Sequence, residues 1–316
     1  MSVSGFPRKP FSLSDLKGLG ISRQHLRTAI LRGDVVALRR NVYMVADNTP
    51  TPLAIARCLA STLIEPPIFA HTTAALVHGM STPYLAQQAD ARLWVLAQPG
   101  ERSSYRGDFV RVLPAKFEES HVTTVDGLRV TTLARTAMDL ARNEPLERGI
   151  AVIDHALAVG VPRAELVAIA VFMKGWSGTR VFEPLLAYGD PRSESGLESM
   201  SRVLIVEHGL PMPDLQVELL GRSGRRFRAD MFWPEFGVIG EVDGLGKYTD
   251  SSVLHAEKQR FDELTGAGHV VVRWGYEHLQ SPARPALTWI GEALRRRGWK
   301  PSAAYLAHLD SLRLVC

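Results

Sequence analysis

The chain has 316 residues, of which 46% are hydrophobic and 22% charged, as is typical of a globular rather than a disordered protein. A chain of this length predicts about two or three domains. It has no apolar run of about 18 residues, and its N-terminus lacks the apolar core of a signal peptide, so we expect no membrane partner. The two cysteines, Cys58 and Cys316, form no metal-binding spacing, which favours a cytoplasmic protein.

The net charge of +4 is unevenly distributed along the chain. Residues 1–50 contain eight Lys and Arg against three Asp and Glu, whereas residues 191–316 contain sixteen of each. Localised positive charge is typical of a protein that contacts the phosphate backbone of nucleic acid. We therefore expect double-stranded DNA as a partner of the first fifty residues.

These fifty residues predict a helix over 13–17, a turn, a second helix over 23–32 and a hairpin of strands 34–38 and 42–45. Ser22 is a favourable N-cap for the second helix, and Gly33 a favourable end. This order is typical of a winged helix-turn-helix module, whose second helix enters the major groove.

The second helix of this module divides into a buried and an exposed face. Leu26 and Ile30, four residues apart, predict its buried stripe. The alternative interpretation is a small helical domain with a solvated basic face. The residues expected to contact DNA lie on this helix and in the hairpin: Arg23, Gln24, Arg27, Arg39 and Arg40.

Residues 51–190 predict a mixed α/β middle domain. His71 and His78 have no acidic or thiol partner nearby in the sequence, so capping or core roles are favoured over a metal site. Arg135 and Asp139 have the i,i+4 spacing of a surface salt bridge. The expected helices are 53–64, 70–79, 132–142, 147–159, 162–173 and 178–188, and the expected strands are 92–97, 109–113, 121–125 and 127–131.

Residues 191–316 predict the element order α-β-β-β-α-β, which is an α/β sandwich with a mixed sheet. The whole chain is therefore expected to be a multi-domain α/β protein. The helices expected here are 197–209, 251–265 and 285–297, and the strands are 215–220, 225–232, 237–243 and 269–274.

Three carboxylates interrupt two of these strands. Asp230 lies on one strand, and Glu241 and Asp243, two residues apart and so on one face, lie on the next. An acid within a strand is costly to desolvate unless a cation or hydrogen bonds compensate it. Carboxylates are the ligands that Mg²⁺ prefers, so we predict an Mg²⁺ or Mn²⁺ site at Asp230, Glu241 and Asp243.

Structural alternatives stay open for the neighbouring residues. Ser195 and Glu198 fit a capping box, which explains Glu198 without a metal ion. Asp243 precedes Gly244 and is also typical of a turn that ends a strand. His255 and Lys258, on the following helix, either face the carboxylates and act on an attacking water or lie on a solvated face.

The third segment resembles the Vsr-like branch of the PD-(D/E)XK endonuclease superfamily, which has a restriction-endonuclease-like fold. The resemblance implies that Asp230 and Glu241 bind Mg²⁺ and that the chain cuts or nicks DNA. In that superfamily a lysine follows the Glu by two residues, but Asp243 stands there, so Lys258 or His255 is expected to supply the catalytic cation. The resemblance is carried by Glu198, Arg228–Ala229–Asp230, Glu241–Val242–Asp243–Gly244, Glu257–Lys258–Gln259–Arg260 and Val271–Val272–Arg273–Trp274.

The first module and part of the middle region resemble AbiEi-family antitoxins, which implies a repressor that binds operator DNA. The alternative function is therefore an antitoxin-type regulator of a toxin–antitoxin or phage-defence system, whose nuclease-like domain is inert. It adds a cognate toxin and a homodimer to the expected partners. The matching motifs are Gly20–Ile21–Ser22–Arg23, Arg39–Arg40–Asn41–Val42–Tyr43 and Ala70–His71–Thr72–Thr73–Ala74–Ala75.

Overall fold

The protein is a mixed α/β chain that divides into two compact units, Met1–Leu140 and Ala141–Cys316. The computed structural model describes residues 5–39, 41–46, 51–62, 66–80, 92–99, 110–243, 251–280 and 284–313. The predicted boundaries after residues 50 and 190 both lie inside a unit.

The first unit opens with the predicted helix, helix and hairpin. These elements are α1 (Leu13–Gly18), α2 (Arg23–Leu31), β1 (Val35–Arg39) and β2 (Val42–Val45). Ser22 caps α2 as predicted, because its Oγ accepts a hydrogen bond from the His25 N–H at 3.2 Å. The hairpin is extended by Phe11, whose N–H and carbonyl both pair with Tyr43 at 2.9 Å.

The predicted buried stripe of α2 is wrong at one position. Leu26 is buried, but Ile30 is 36% exposed and Ala29 takes its place in the core. Ala29 shares the small core around α1 and the hairpin with Leu26, Leu16 and Val35. Only a narrow face of α2, with Leu26 and Ala29, therefore packs against the small core. The face that carries Ile30 is exposed to solvent.

The rest of the first unit is a five-stranded sheet with three helices. The predicted strands and helices of this part are confirmed, and β3 was missed because two residues are too short to show alternation. The strand order is β5-β4-β3-β7-β6, with β4 parallel to β5, β3 parallel to β7 and the other pairs antiparallel. The elements are α3 (Pro52–Thr62), β3 (Ile68–Phe69), α4 (His71–Val77), β4 (Leu93–Ala97), β5 (Val110–Pro114), β6 (Val122–Val125), β7 (Leu128–Thr131) and α5 (Leu133–Ala141).

The hairpin and this sheet share one hydrophobic core. Leu38 and Val42 of the hairpin pack in the same cluster as Leu59, Phe69 and Leu93. The core shared by the hairpin and this sheet therefore spans the segment boundary predicted after residue 50, while the small core around α1 and α2 lies within the first fifty residues.

The predicted salt bridge between Arg135 and Asp139 is confirmed, but its predicted position at the surface is wrong, because both side chains are fully buried. Arg135 Nε donates to Asp139 Oδ2 at 2.7 Å, and its Nη1 donates to the carbonyl of Lys116 at 3.2 Å and to His121 Nδ1 at 3.4 Å. An ion pair within a core is stable only when further hydrogen bonds compensate desolvation. The pair thus ties helix α5 to the chain before β6.

The two histidines of this unit have the core roles that the sequence favours. His71 is buried, and its ring lies 4.4 Å from that of Trp94. The His78 Nε2 and the Thr131 carbonyl are 2.8 Å apart, so this ring hydrogen-bonds to strand β7.

The second unit is a four-stranded sheet with helices on both faces. The predicted element order is confirmed, and the four-residue helix after β11 and the eleven-residue helix near the C-terminus were not predicted. The strand order is β11-β10-β9-β8, with β10 parallel to β11 and the other two pairs antiparallel. The elements are α6 (Leu146–Ala158), α7 (Arg163–Phe172), α8 (Phe182–Tyr188), α9 (Gly196–Glu207), β8 (Asp214–Leu220), β9 (Arg226–Trp233), β10 (Val238–Asp243), α10 (Ser251–Gly266), β11 (Val270–Gly275), α11 (Glu277–Gln280), α12 (Pro285–Arg296) and α13 (Ala303–Arg313).

Tight packing on the sheet depends on one glycine and one tryptophan. Trp274 of β11 is buried and donates its indole N–H to Ser201 Oγ of α9 at 2.8 Å. A Cβ on Gly240 would lie only 2.6 Å from the Trp274 ring, so this position of β10 excludes a side chain. Gly240 immediately precedes Glu241, so the strand is held closely where it carries the candidate site.

A buried ion pair joins the helices on either side of the predicted boundary at residue 190. Arg202 of α9 is hydrogen-bonded to Asp154 of α6, and both side chains are buried. Asp154 Oδ1 also accepts from the Asp190 N–H at 2.7 Å, and Arg202 donates to the Tyr188 carbonyl. Helix α6 therefore belongs to the same packed unit as the sheet.

Breaking this pair is expected to destabilise the second unit. Asp154→Asn leaves the Arg202 charge buried without its counter-ion, which costs about 3–5 kcal/mol. Urea unfolding followed by tryptophan fluorescence measures the loss, because five of the six tryptophans lie in this unit. The apolar double variant Asp154→Leu/Arg202→Met should recover part of it; a loss equal to the sum of the two single variants would show that the charges are not coupled.

Stability is also expected to depend on His155. Burial lowers the pKa of His155 below its ordinary value of 6.5, so below that pH the unfolded chain binds a proton that the folded chain does not. The free energy of unfolding then falls as pH decreases, by at most about 1.4 kcal/mol per pH unit for one group. Relative to His155→Gln, the wild type should lose stability between pH 7 and pH 5 in thermal unfolding; parallel curves would contradict this.

Candidate functional site

The pairing of β9 with β10 places two of the predicted ligands side by side. The register pairs Val238 with Trp233 and Gly240 with Met231, so Asp230 and Glu241 come directly next to the last paired positions of the two strands. Asp230 Oδ2 accepts a hydrogen bond from the Val242 N–H at 2.8 Å, which fixes its carboxylate beside β10.

The strand geometry is irregular at this position. Ala229 packs in the core beneath α10, whereas Met231, two residues further, packs in the opposite core, so the alternation of faces shifts at Asp230. The register of β8 with β9 places Gln216 opposite Asp230, and Gln216 has a φ of 54°. A non-glycine residue in this region costs about 1–3 kcal/mol and is found most often at functional sites.

Glu198, at the start of α9, is buried beside these strands. Its Oε2 accepts hydrogen bonds from the Gln216 side-chain amide at 2.9 Å and from the Glu194 N–H at 3.0 Å. Ser195 caps the helix as predicted, with its Oγ accepting from the Glu198 N–H at 3.1 Å. The other hydrogen bond of the predicted capping box is different: the Glu198 carboxylate accepts from the Glu194 N–H rather than from the N–H of the cap residue Ser195. The same carboxylate also contacts Gln216 of β8.

The three carboxylates influence one another. Burial is the largest cause that raises the pKa of Glu198 and of Glu241, and the negative charge of Asp230 raises both further. Hydrogen bonds from protein donors lower both pKa values without cancelling the effect of burial. Asp230 thus lies near enough to both glutamates to disfavour their charged forms, as burial also does.

Among the described residues, Arg260 forms an ion pair with Glu241. Its Nη2 donates to Glu241 Oε1 at 2.7 Å and to the Arg228 carbonyl at 2.5 Å. Arg273 lowers the pKa of Glu241 through its charge, but its own ion pair is with Glu257 at 3.0 Å.

Arg260 and Gln216 were assigned no role from the sequence. A signal for Arg260 exists, because the buried Leu264 lies four residues after it and side chains with that spacing share a helix face. For Gln216 the sequence offers no such signal, since its role follows from a left-handed backbone conformation within a strand.

The catalytic roles predicted for His255, Lys258 and Asp243 stay predictions. His255 and Lys258 are exposed, and His255 Nε2 lies 3.1 Å from the Gln259 amide of its own helix. Asp243 is half-buried at the end of β10, opposite Gly275 of β11, and residues 244–250, which follow it, lie outside the described part of the chain. Within the described residues, no group of three or more His, Cys, Asp or Glu is arranged to hold a metal ion.

The first unit presents a second candidate surface. Arg23, Gln24 and Arg27 are exposed on α2, as predicted for a DNA-contacting helix. Arg40 and the side chain of Arg39, predicted to contact DNA from the hairpin, lie outside the described residues.

No known family model matches the chain. The chain is 30% identical over 192 residues to two uncharacterized proteins of Mycobacterium tuberculosis, MT2308 of strain CDC 1551 / Oshkosh and Rv2248 of strain ATCC 25618 / H37Rv. The match covers 60% of this chain and spans 65% of the length of these relatives.

Among solved structures, the chain is similar to the crystal structure of the RV2827C protein from Mycobacterium tuberculosis. The TM-score is 0.41 at 15% identity, and the match covers 67% of this chain and 83% of the other. Across the described residues, no helix has the length and apolar character needed to cross a membrane.

Proposed function

We propose that the second unit is a restriction-endonuclease-like domain that cuts or nicks DNA with Mg²⁺ or Mn²⁺ held by Asp230 and Glu241. The observation that carries this proposal is the juxtaposition of Asp230, Glu241 and Glu198, in which Asp230 raises the pKa of both glutamates. Buried carboxylates that repel one another are stabilised by a shared cation.

The donor set suits a hard divalent cation. Mg²⁺ is commonly bound by one or two carboxylates together with water and phosphate oxygens, so Asp230 and Glu241 suffice without a third acidic ligand. Gln216 adds a neutral oxygen: its Nε2 donates to Glu198, and its buried Oε1 has no hydrogen-bond partner among the described residues. All of these donors are oxygens, which matches the preference of Mg²⁺ and Mn²⁺.

The residues around the cation would have different roles in the reaction. When bound, the cation would polarise the phosphodiester and lower the pKa of an attacking water. Glu198, whose carboxylate is oriented by Gln216 and Glu194, would accept the proton of that water, because burial makes it a stronger base than an exposed glutamate. Asp230 is held by the Val242 N–H and keeps its position as a ligand.

Metal-dependent nicking of supercoiled plasmid tests the proposal. Wild-type protein is expected to nick in Mg²⁺ or Mn²⁺ and to stop in a chelator. Asp230→Asn and Glu241→Gln should each reduce the rate by about 10²–10³-fold, since each removes a charged group that acts in the transition state.

Asp262→Asn is the matched control, because Asp262 is exposed on the outer face of α10 and its loss should leave the rate unchanged. Nicking that persists in Asp230→Asn or in chelator would contradict the proposal and indicate a contaminating nuclease.

We propose a second function, DNA binding by the first unit as a winged helix-turn-helix repressor of the antitoxin type. The observation that favours it is the exposure of Arg23, Gln24 and Arg27 on the second of two short helices that precede a hairpin. A cognate toxin and a second copy of this chain are the further partners of this proposal. The two functions are compatible, because the first unit would deliver the second to DNA.

The salt dependence of DNA binding tests this surface. Arg23→Ala/Arg27→Ala should weaken binding to a mixed-sequence duplex and reduce the slope of log K against log salt by about two, one for each lost phosphate contact. Fluorescence anisotropy across a salt series measures the slope. Arg57→Ala, an exposed arginine of the same unit paired with Asp126, is the control and should leave the slope unchanged. A double variant that binds like the wild type would exclude α2 as the contact surface.

A further inference from the structure

We infer that Arg260 couples the metal site to the DNA backbone: its guanidinium pairs with Glu241 when no cation is bound, and cation binding releases it to a phosphate of the DNA. The inference rests on the proposed metal site at Asp230 and Glu241. It assigns Arg260 a role in binding that the sequence motifs did not give to it.

The first support is where Arg260 lies. It contacts Glu241 Oε1 at 2.7 Å, and Glu241 is one of the two proposed ligands. The Arg260 side chain is 20% exposed and that of Glu241 10%, so the pair lies at the rim of the site rather than deep in the core. A guanidinium at a solvent-accessible rim can exchange one anionic partner for another without unfolding the strand that holds Glu241.

The second support is competition for the same carboxylate. A guanidinium and a divalent cation repel each other, and both are attracted to Glu241. Binding of the cation therefore weakens the Arg260–Glu241 pair. The planar guanidinium fork then matches the oxygens of a phosphate, which it binds with two parallel hydrogen bonds.

The third support is that Arg260 has anchors that do not depend on Glu241. Its Nη2 also donates to the Arg228 carbonyl at 2.5 Å, and its guanidinium carbon lies 5.8 Å from the centre of the Phe227 ring. These contacts keep the released guanidinium beside β9, so its charge remains next to the site. Asp243 supplies no positive charge on β10, and His255 and Lys258 are exposed on a different face of α10.

Through this exchange, binding of the metal ion and binding of a DNA phosphate each strengthen the other. If the cation frees Arg260 for phosphate, then phosphate that captures Arg260 must raise the affinity for the cation by the same factor. The site would thus be loaded preferentially on DNA.

Arg273 provides a matched control. It influences Glu241 through charge without a hydrogen bond to it, whereas Arg260 does both. Arg273→Gln therefore reports the effect of removing a nearby charge, and Arg260→Gln reports that effect together with the loss of the competing occupant.

The first measurement is Mn²⁺ affinity of the full chain without DNA, by electron paramagnetic resonance of free Mn²⁺. Arg260→Gln should bind Mn²⁺ about tenfold more tightly than wild type, within the usual range of coupling between sites, and Arg273→Gln clearly less so. Equal affinities of the two variants, or weaker binding by Arg260→Gln, would overturn the inference. If Arg260→Gln does not fold, Arg260→Met and Arg273→Met make the same comparison, and an equal affinity of these two variants would overturn the inference equally.

The second measurement is the salt dependence of duplex binding with Ca²⁺, which takes the same oxygen ligands, against chelator. In wild type and Arg273→Gln, Ca²⁺ should steepen the slope of log K against log salt by about one, the contribution of one added phosphate contact. In Arg260→Gln the slope should not change with Ca²⁺, and a change equal to that of wild type would overturn the inference.

Asp230→Asn separates this inference from the proposed function. Retention of Mn²⁺ binding in Asp230→Asn would overturn the metal site itself, and the coupling with it. Loss of Mn²⁺ binding in Asp230→Asn, together with equal behaviour of the Arg260 and Arg273 variants, would overturn the coupling alone.

Discussion

The antiparallel register between β9 and β10 is the constraint on which the candidate site depends. A shift of one residue would send Glu241 to the opposite face of the sheet, away from Asp230. Val238 and Trp233 are paired partners that both pack in the core shared with α9 and α12, and Ile239 and Phe232 pair on the face beneath α10. Because both faces are apolar on this side of the pair, the hydrophobic core fixes the position of the carboxylates.

The helices that cover the two faces contribute opposite chemistry to the site. Helix α9 brings a third carboxylate, Glu198, and holds it through its N-terminal cap. Helix α10 brings Arg260, which compensates Glu241. The site thus combines carboxylates from α9, β9 and β10 with the guanidinium cation of Arg260 from α10. The charge balance at Glu241 depends on whether Arg260 stays paired with it. An anionic site with one displaceable cation is suited to exchange that cation for a metal ion.

Local sequence signals predicted most of the elements but not all of the partners. Periodicity and capping residues located α2 and the strands that carry Asp230 and Glu241, because these signals arise within one segment. Burial of Arg135 with Asp139 was missed, since an i,i+4 pair has the same spacing at the surface and in a core. Contacts between segments distant in sequence, such as Arg202 with Asp154, leave no periodic signal and require the fold.

The acidic residue at position 243 of β10 and the position of Arg260 on α10 both bear on the charge balance around Glu241. A lysine on β10 would compensate Glu241 from its own strand, and a second acid there increases the demand for positive charge. Arg260 meets that demand from a helix, through a side chain long enough to reach both the Arg228 carbonyl and Glu241. A cation on a separate element is less rigidly tied to the carboxylates than one on the same strand.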